Sequence, residues 1–113
     1  MPFVDFNSKK KVKIWEGITG ALAHSDQMTF GHFHIDSGTV LPEHKHFHEQ
    51  WSHVIEGELL FNIAGEELLL TAGMTAYIPS NVPHSAKALS ACKVIDCFTP
   101  VRQDFAELER DNE

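Results

Sequence analysis

The sequence predicts an all-β fold, a sandwich or barrel folded as one domain over residues 1–113. Turn residues recur along the chain, among them Gly17, Gly20, Gly31, Gly38, Gly57, Gly65, Gly73, Pro79, Asn81 and Pro83. The segments between them are short and rich in β-branched or aromatic residues, the pattern of strands joined by tight connections. A chain of 113 residues has room for one hydrophobic core. In chain order, Phe3, Val4 and Phe6 suggest an edge strand within residues 1–10, laid on this chain's own sheet or on a partner's sheet in a homodimer. Strands follow at Met28 to Ile35, Leu59 to Ile63, Leu68 to Leu70, Thr75 to Ile78 and Val94 to Phe98. Phe61 and Ile63, the tripeptide Ala64-Gly65-Glu66, then Leu68 and Leu70 read as a hairpin. Gln103 to Asp111, with Phe105, Ala106 and Leu108 among charges, is the one helical stretch, a short or frayed tail.

Composition excludes several function classes. The chain is 42% hydrophobic and 22% charged, as soluble globular proteins are. Nine Lys and Arg against 16 Asp and Glu give a formal charge of −7, which repels phosphate backbones, so no nucleic-acid partner is expected. No apolar run approaches the roughly 20 residues of a membrane span. The start, MPFVDFNSKKKVKIW, lacks the apolar core of a signal peptide, and a cytoplasmic location is expected. Cys92 and Cys97, on opposite faces of one strand, cannot bridge and belong to no paired-cysteine metal motif.

Histidine is the informative residue: there are eight, and His44, His46 and His48 lie within one pentapeptide. In HKHFHEQ the even positions 44, 46, 48 and 50 share a face if the chain is extended. His44 and His46 then converge on a metal, with Gln50 adding a carbonyl oxygen if the strand bends near Phe47. His84, after the turn Pro79-Ser80-Asn81-Val82-Pro83, is the distant fourth ligand.

These residues resemble the two motifs of the cupins. In the first, residues 38–57, Gly38 is followed by five residues, His44-x-His46, three residues, Gln50, six residues and Gly57, with glutamine where glutamate is usual. In the second, residues 73–88, Gly73 leads to Pro79-Ser80-Asn81 and His84, with Asn81 and Ala88 replacing the usual Gly and Asn. The resemblance implies a single-domain jelly-roll barrel, a double-stranded β-helix, with one divalent transition metal. Zn, Ni, Mn, Fe, Co and Cu all accept imidazole with a carbonyl oxygen. Three neutral imidazoles and a neutral amide leave the metal its full charge, which suits Lewis-acid or anion-binding chemistry better than oxygen activation.

The last strand supplies the remaining candidates. Asp96 shares parity with Cys92, Val94 and Phe98, and either parity can face inward. Facing inward, Asp96 is a general acid or base over an apolar floor. Arg102 either reaches the barrel mouth to grip a substrate carboxylate or pairs with the acidic tail. The segments HxHxxxQ, IPSNVPHSAKAL and VIDCFTPVRQDF are similar to the small pectin-degradation cupins of the KdgF type, which act on 4,5-unsaturated uronates. That resemblance implies metal ligands His44, His46, Gln50 and His84, and active-site residues Asp96, Phe98 and Arg102. The expected partner is a small sugar acid. It also implies ring opening and conversion to the linear 4-deoxy-5-keto form. Alternatives are another small-molecule cupin enzyme (a dioxygenase or sugar isomerase), a non-catalytic sugar- or acid-binding cupin, and a barrel with a structural metal. His48 and Glu49 are unassigned, and His32, His34 and His53 are read as structural or exposed.

Overall fold

The computed structural model describes residues 2–112. Ten strands precede one helix: β1 (Val12–Trp15), β2 (Ile18–His24), β3 (Thr29–Ile35), β4 (Val40–His44), β5 (Glu49–Glu56), β6 (Leu59–Ile63), β7 (Glu66–Leu70), β8 (Thr75–Ile78), β9 (His84–Ala88), β10 (Cys92–Thr99) and α1 (Gln103–Asp111). They form two antiparallel sheets, β1-β2-β3-β10-β5-β8 and β4-β9-β6-β7. The strands expected from Met28 onward and the C-terminal helix are present.

The inner faces follow the period-2 rule. In β10, Cys92, Val94 and Phe98 are buried while Lys93 and Thr99 are exposed. In β5, Gln50, Ser52 and Val54 are buried while Glu49, Trp51 and Ile55 are exposed. These two strands pair with Phe98 opposite Gln50, Asp96 opposite Ser52 and Val94 opposite Val54, so one inner wall carries polar groups in its upper half only. Below it, Val54, Leu59, Phe61, Leu70, Ile78 and Val94 close the core between the sheets. A second cluster, Val12, Ile18, Leu22, Phe33 and Phe98, is capped by Phe105 and Leu108 of α1, which explains why a nine-residue helix with no buried residue of its own is retained.

Two expectations are corrected. The β6–β7 connection is a two-residue turn, Ala64-Gly65, with Ile63 opposite Glu66, rather than the tripeptide. Both turn residues have positive φ (52° and 84°), the twist-matched geometry of a tight hairpin. Residues 2–10 form no strand on this chain's sheet. Asp5 accepts hydrogen bonds from the Asn7 amide and from Ser8, closing a turn, and β1 takes the sheet edge instead. Phe6 stacks on His32 with ring centroids 4.2 Å apart, while Phe3 and Val4 stand exposed. Among the described residues no helix is long and apolar enough to cross a membrane.

Candidate metal centre and acid–base site

His44 ends β4 and lies directly across from His84, the first residue of β9. The chain is not extended between positions 44 and 50. After His44 it leaves the four-stranded sheet, crosses the barrel mouth through residues 45–48, and enters β5 in the other sheet. Convergence of His44, His46 and Gln50 therefore comes from this crossing, not from alternation along one strand. The same geometry removes His48 from the group. Its ring lies 4.1 Å from that of Phe47 and is buried, and its contribution to the centre is its backbone carbonyl.

One ring nitrogen from each of His44, His46 and His84 lies within 4.8 Å of the others. The opposite nitrogens are all engaged: Nδ1 of His44 bonds the Pro42 carbonyl at 2.8 Å, Nδ1 of His46 the His48 carbonyl at 3.0 Å, and Nδ1 of His84 the Val82 carbonyl at 2.8 Å. A carbonyl only accepts, so each Nδ1 carries the proton and each Nε2 presents a lone pair. His84 Nε2 is buried without a hydrogen-bond partner. Burial, with the neighbouring imidazoles and Arg102 adding to it, pushes His84 down to about 4 and keeps it neutral. The Gln50 carbonyl oxygen lies 3.2 Å from His46 Nε2. Two acceptors at that separation do not bond each other; a cation between them satisfies both. The donor set thus fits a divalent transition ion, and does not distinguish which.

Asp96 faces inward, which resolves its parity. Its carboxylate accepts a short hydrogen bond from the Ser52 hydroxyl. Burial drives its pKa from 3.8 up to about 7, against hydrogen bonding from Ser52 and Gln50 and the attraction of Arg102. A carboxyl poised there can give or take a proton at neutral pH. Phe98, buried beside it, meets His46 with centroids 6.1 Å apart. Arg102 borders the barrel cavity and also pairs with the acidic tail. Its side chain is only 13% exposed, with the guanidinium carbon 4.8 Å from the Phe98 centroid and 3.8 Å from that of Phe105, yet it also pairs with Asp104 of the tail. The Arg102 charge, after burial, also holds His46 and His48 below the usual histidine value.

All seven expected site residues border one cavity of about 490 Å³ inside the barrel. Ser52, Asp104 and Phe105 border it too and were not anticipated. Ser52 was detectable, because it shares parity with Gln50, and so was Asp104, two residues beyond Arg102 in the acidic tail expected to pair with it. His32, His34, His53 and Glu49 lie elsewhere: His53 bonds Thr75, and Glu49 accepts from the Tyr77 hydroxyl at 2.8 Å.

Comparison with known proteins agrees with this architecture. An RmlC-like cupin from Shewanella frigidimarina NCIMB 400 superposes with a TM-score of 0.88 at 29% identity, over 93% of this chain and 96% of the other. KdgF from Halomonas sp. superposes with a TM-score of 0.87 at 28% identity, over 93% and 98%. The HTH-type transcriptional regulator PuuR of Escherichia coli K12 is 38% identical over 66 residues, which are 56% of this chain and 36% of the regulator. The chain thus spans about a third of the length of the curated relatives it matches. Residues 31–98, which include both motifs and all four expected ligands, match the cupin domain model, and the chain belongs to the cupin family.

Proposed function

We propose that the chain is a metal-dependent enzyme that opens and tautomerises 4,5-unsaturated uronates to the linear 4-deoxy-5-keto form. The observation that carries this reading is the pairing, around one cavity, of a neutral three-histidine, one-glutamine donor set with a half-buried carboxyl poised near neutrality. A metal held by His44, His46, Gln50 and His84 would supply Lewis-acid polarisation of substrate oxygens. Arg102 receives the substrate carboxylate, and Phe98 packs against the sugar. The net reaction loses no atom: a proton leaves the anomeric hydroxyl and one is added at C4 as the ring C–O bond breaks. Asp96, held by Ser52, carries protons between those positions. The proposal includes a homodimer, which sedimentation at micromolar concentration tests by mass.

The test is loss of ultraviolet absorbance when purified protein is added to freshly released 4,5-unsaturated galacturonate. Acceleration abolished by chelator and by Asp96→Asn supports the reading; none with metal-loaded protein refutes it. The similarity to part of a transcriptional regulator favours a second reading, a sugar- or acid-binding cupin without turnover. That reading expects saturable binding of the uronate with its absorbance decaying at the spontaneous rate.

A further inference from the structure

Arg102 is held from several directions. Its backbone N–H donates to Thr29 Oγ1 at 2.8 Å, and Thr29 is fully buried and meets His24 Nδ1 at 2.9 Å. Its guanidinium lies over the Phe98 and Phe105 rings. Its Nε and Nη2 donate to the two oxygens of Asp104 at 2.9 and 2.8 Å. A guanidinium has five N–H donors in a fixed plane. Asp104 takes the Nε/Nη2 edge, and the Nη1/Nη2 edge keeps two parallel donors, the number a second carboxylate needs. Asp104 stands in the first turn of α1, where the Arg102 bond, with backbone N–H groups adding to it, holds its carboxyl below the usual value.

We propose that Asp104 is a positioning residue: by holding one edge of Arg102 it aims the other edge at the carboxylate of a sugar-acid ligand. This rests on Arg102 being the carboxylate anchor, and it makes α1 part of the site rather than a lid on the core. The opposite device, with Asp104 as a competitor that a ligand must displace, starts from the same contacts and predicts opposite results.

The chain has only two arginines, Arg102 and Arg110, so the Nε–H signal of Arg102 can be followed by NMR in the zinc-loaded protein. Positioning predicts that this proton exchanges slowly and keeps its shift when D-galacturonate is added. It predicts that Asp104→Asn speeds exchange and weakens galacturonate binding about tenfold, with Asp104→Glu recovering part of the affinity. If unsaturated uronate is turned over, kcat/KM of Asp104→Asn falls by a similar factor, mostly through KM. A shift or loss of the Nε–H signal on adding galacturonate, or tighter binding by Asp104→Asn, overturns the proposal in favour of competition. The binding arm does not depend on turnover, so failure of the uronate reaction leaves it intact. Absence of any galacturonate binding that Arg102→Lys abolishes overturns it as well, since Arg102 would then anchor no carboxylate.

Discussion

Asp96 sets function against stability, and the cost can be worked from its surroundings. Its carboxyl titrates at about 7 instead of 3.8, chiefly because burial disfavours the charge. A folded-state value above the unfolded one means that the folded chain holds the extra proton between about pH 4 and pH 7. Stability from this group is complete below pH 4, falls through that window and is flat above it. At about 1.36 kcal/mol per unit, the shift corresponds to a ceiling of about 4 kcal/mol. Asp96 is half-buried and meets the cavity, so screening leaves a cost on the order of 2 kcal/mol above pH 7. Asp96→Asn removes the charge and keeps an oxygen for the Ser52 hydroxyl. For a chain of this length 2 kcal/mol is worth about 8 °C in Tm. The assay is thermal unfolding of chelator-stripped wild type and variant from pH 4.5 to 8. We expect curves close together at pH 4.5 and the variant about 8 °C higher at pH 8, although it has lost turnover. His84, whose depressed pKa makes stability fall as pH drops from 6.5 towards 4, is present in both proteins and cancels. A pH-independent gap, or a variant less stable at pH 8, would refute the burial argument.

Three further outcomes follow from the site and the fold. Zinc at a hundredfold excess over its dissociation constant should raise stability by about 2.7 kcal/mol, and His84→Ala should abolish most of that shift in a thermal melt. Gln50→Glu should retain metal at least tenfold better in a chelator challenge and lose turnover, because it exchanges a neutral ligand for an anionic one and sets a second carboxylate beside Asp96. Gly57→Ala should lower the urea midpoint by the equivalent of about 3 kcal/mol or more. Gly57 has φ +95°, and a Cβ there would lie 2.3 Å from the Ala91 carbonyl oxygen.

What the sequence determined by itself is what local pattern and spacing encode. Short β-branched segments between turn residues predict strands, and the charged run with Phe105 and Leu108 predicts the helix, whose bounds match α1. Motif spacing picked out His44, His46, Gln50 and His84 without knowledge of the path between them. Alternation, however, says which residues share a face, never which face is inside. Only the pairing of β10 between β3 and β5 put Asp96 on the inner wall opposite Ser52. Only the crossing between sheets gathered His44, His46 and His84 and left His48 out of the group, though its ring stays 5.6 Å from that of His46, and only the return of the chain after β10 set the Arg102 backbone on buried Thr29. These are contacts between residues distant in the chain or separated by a change of direction. Their energy lies in burial and long-range pairing, and a local window of sequence does not contain it.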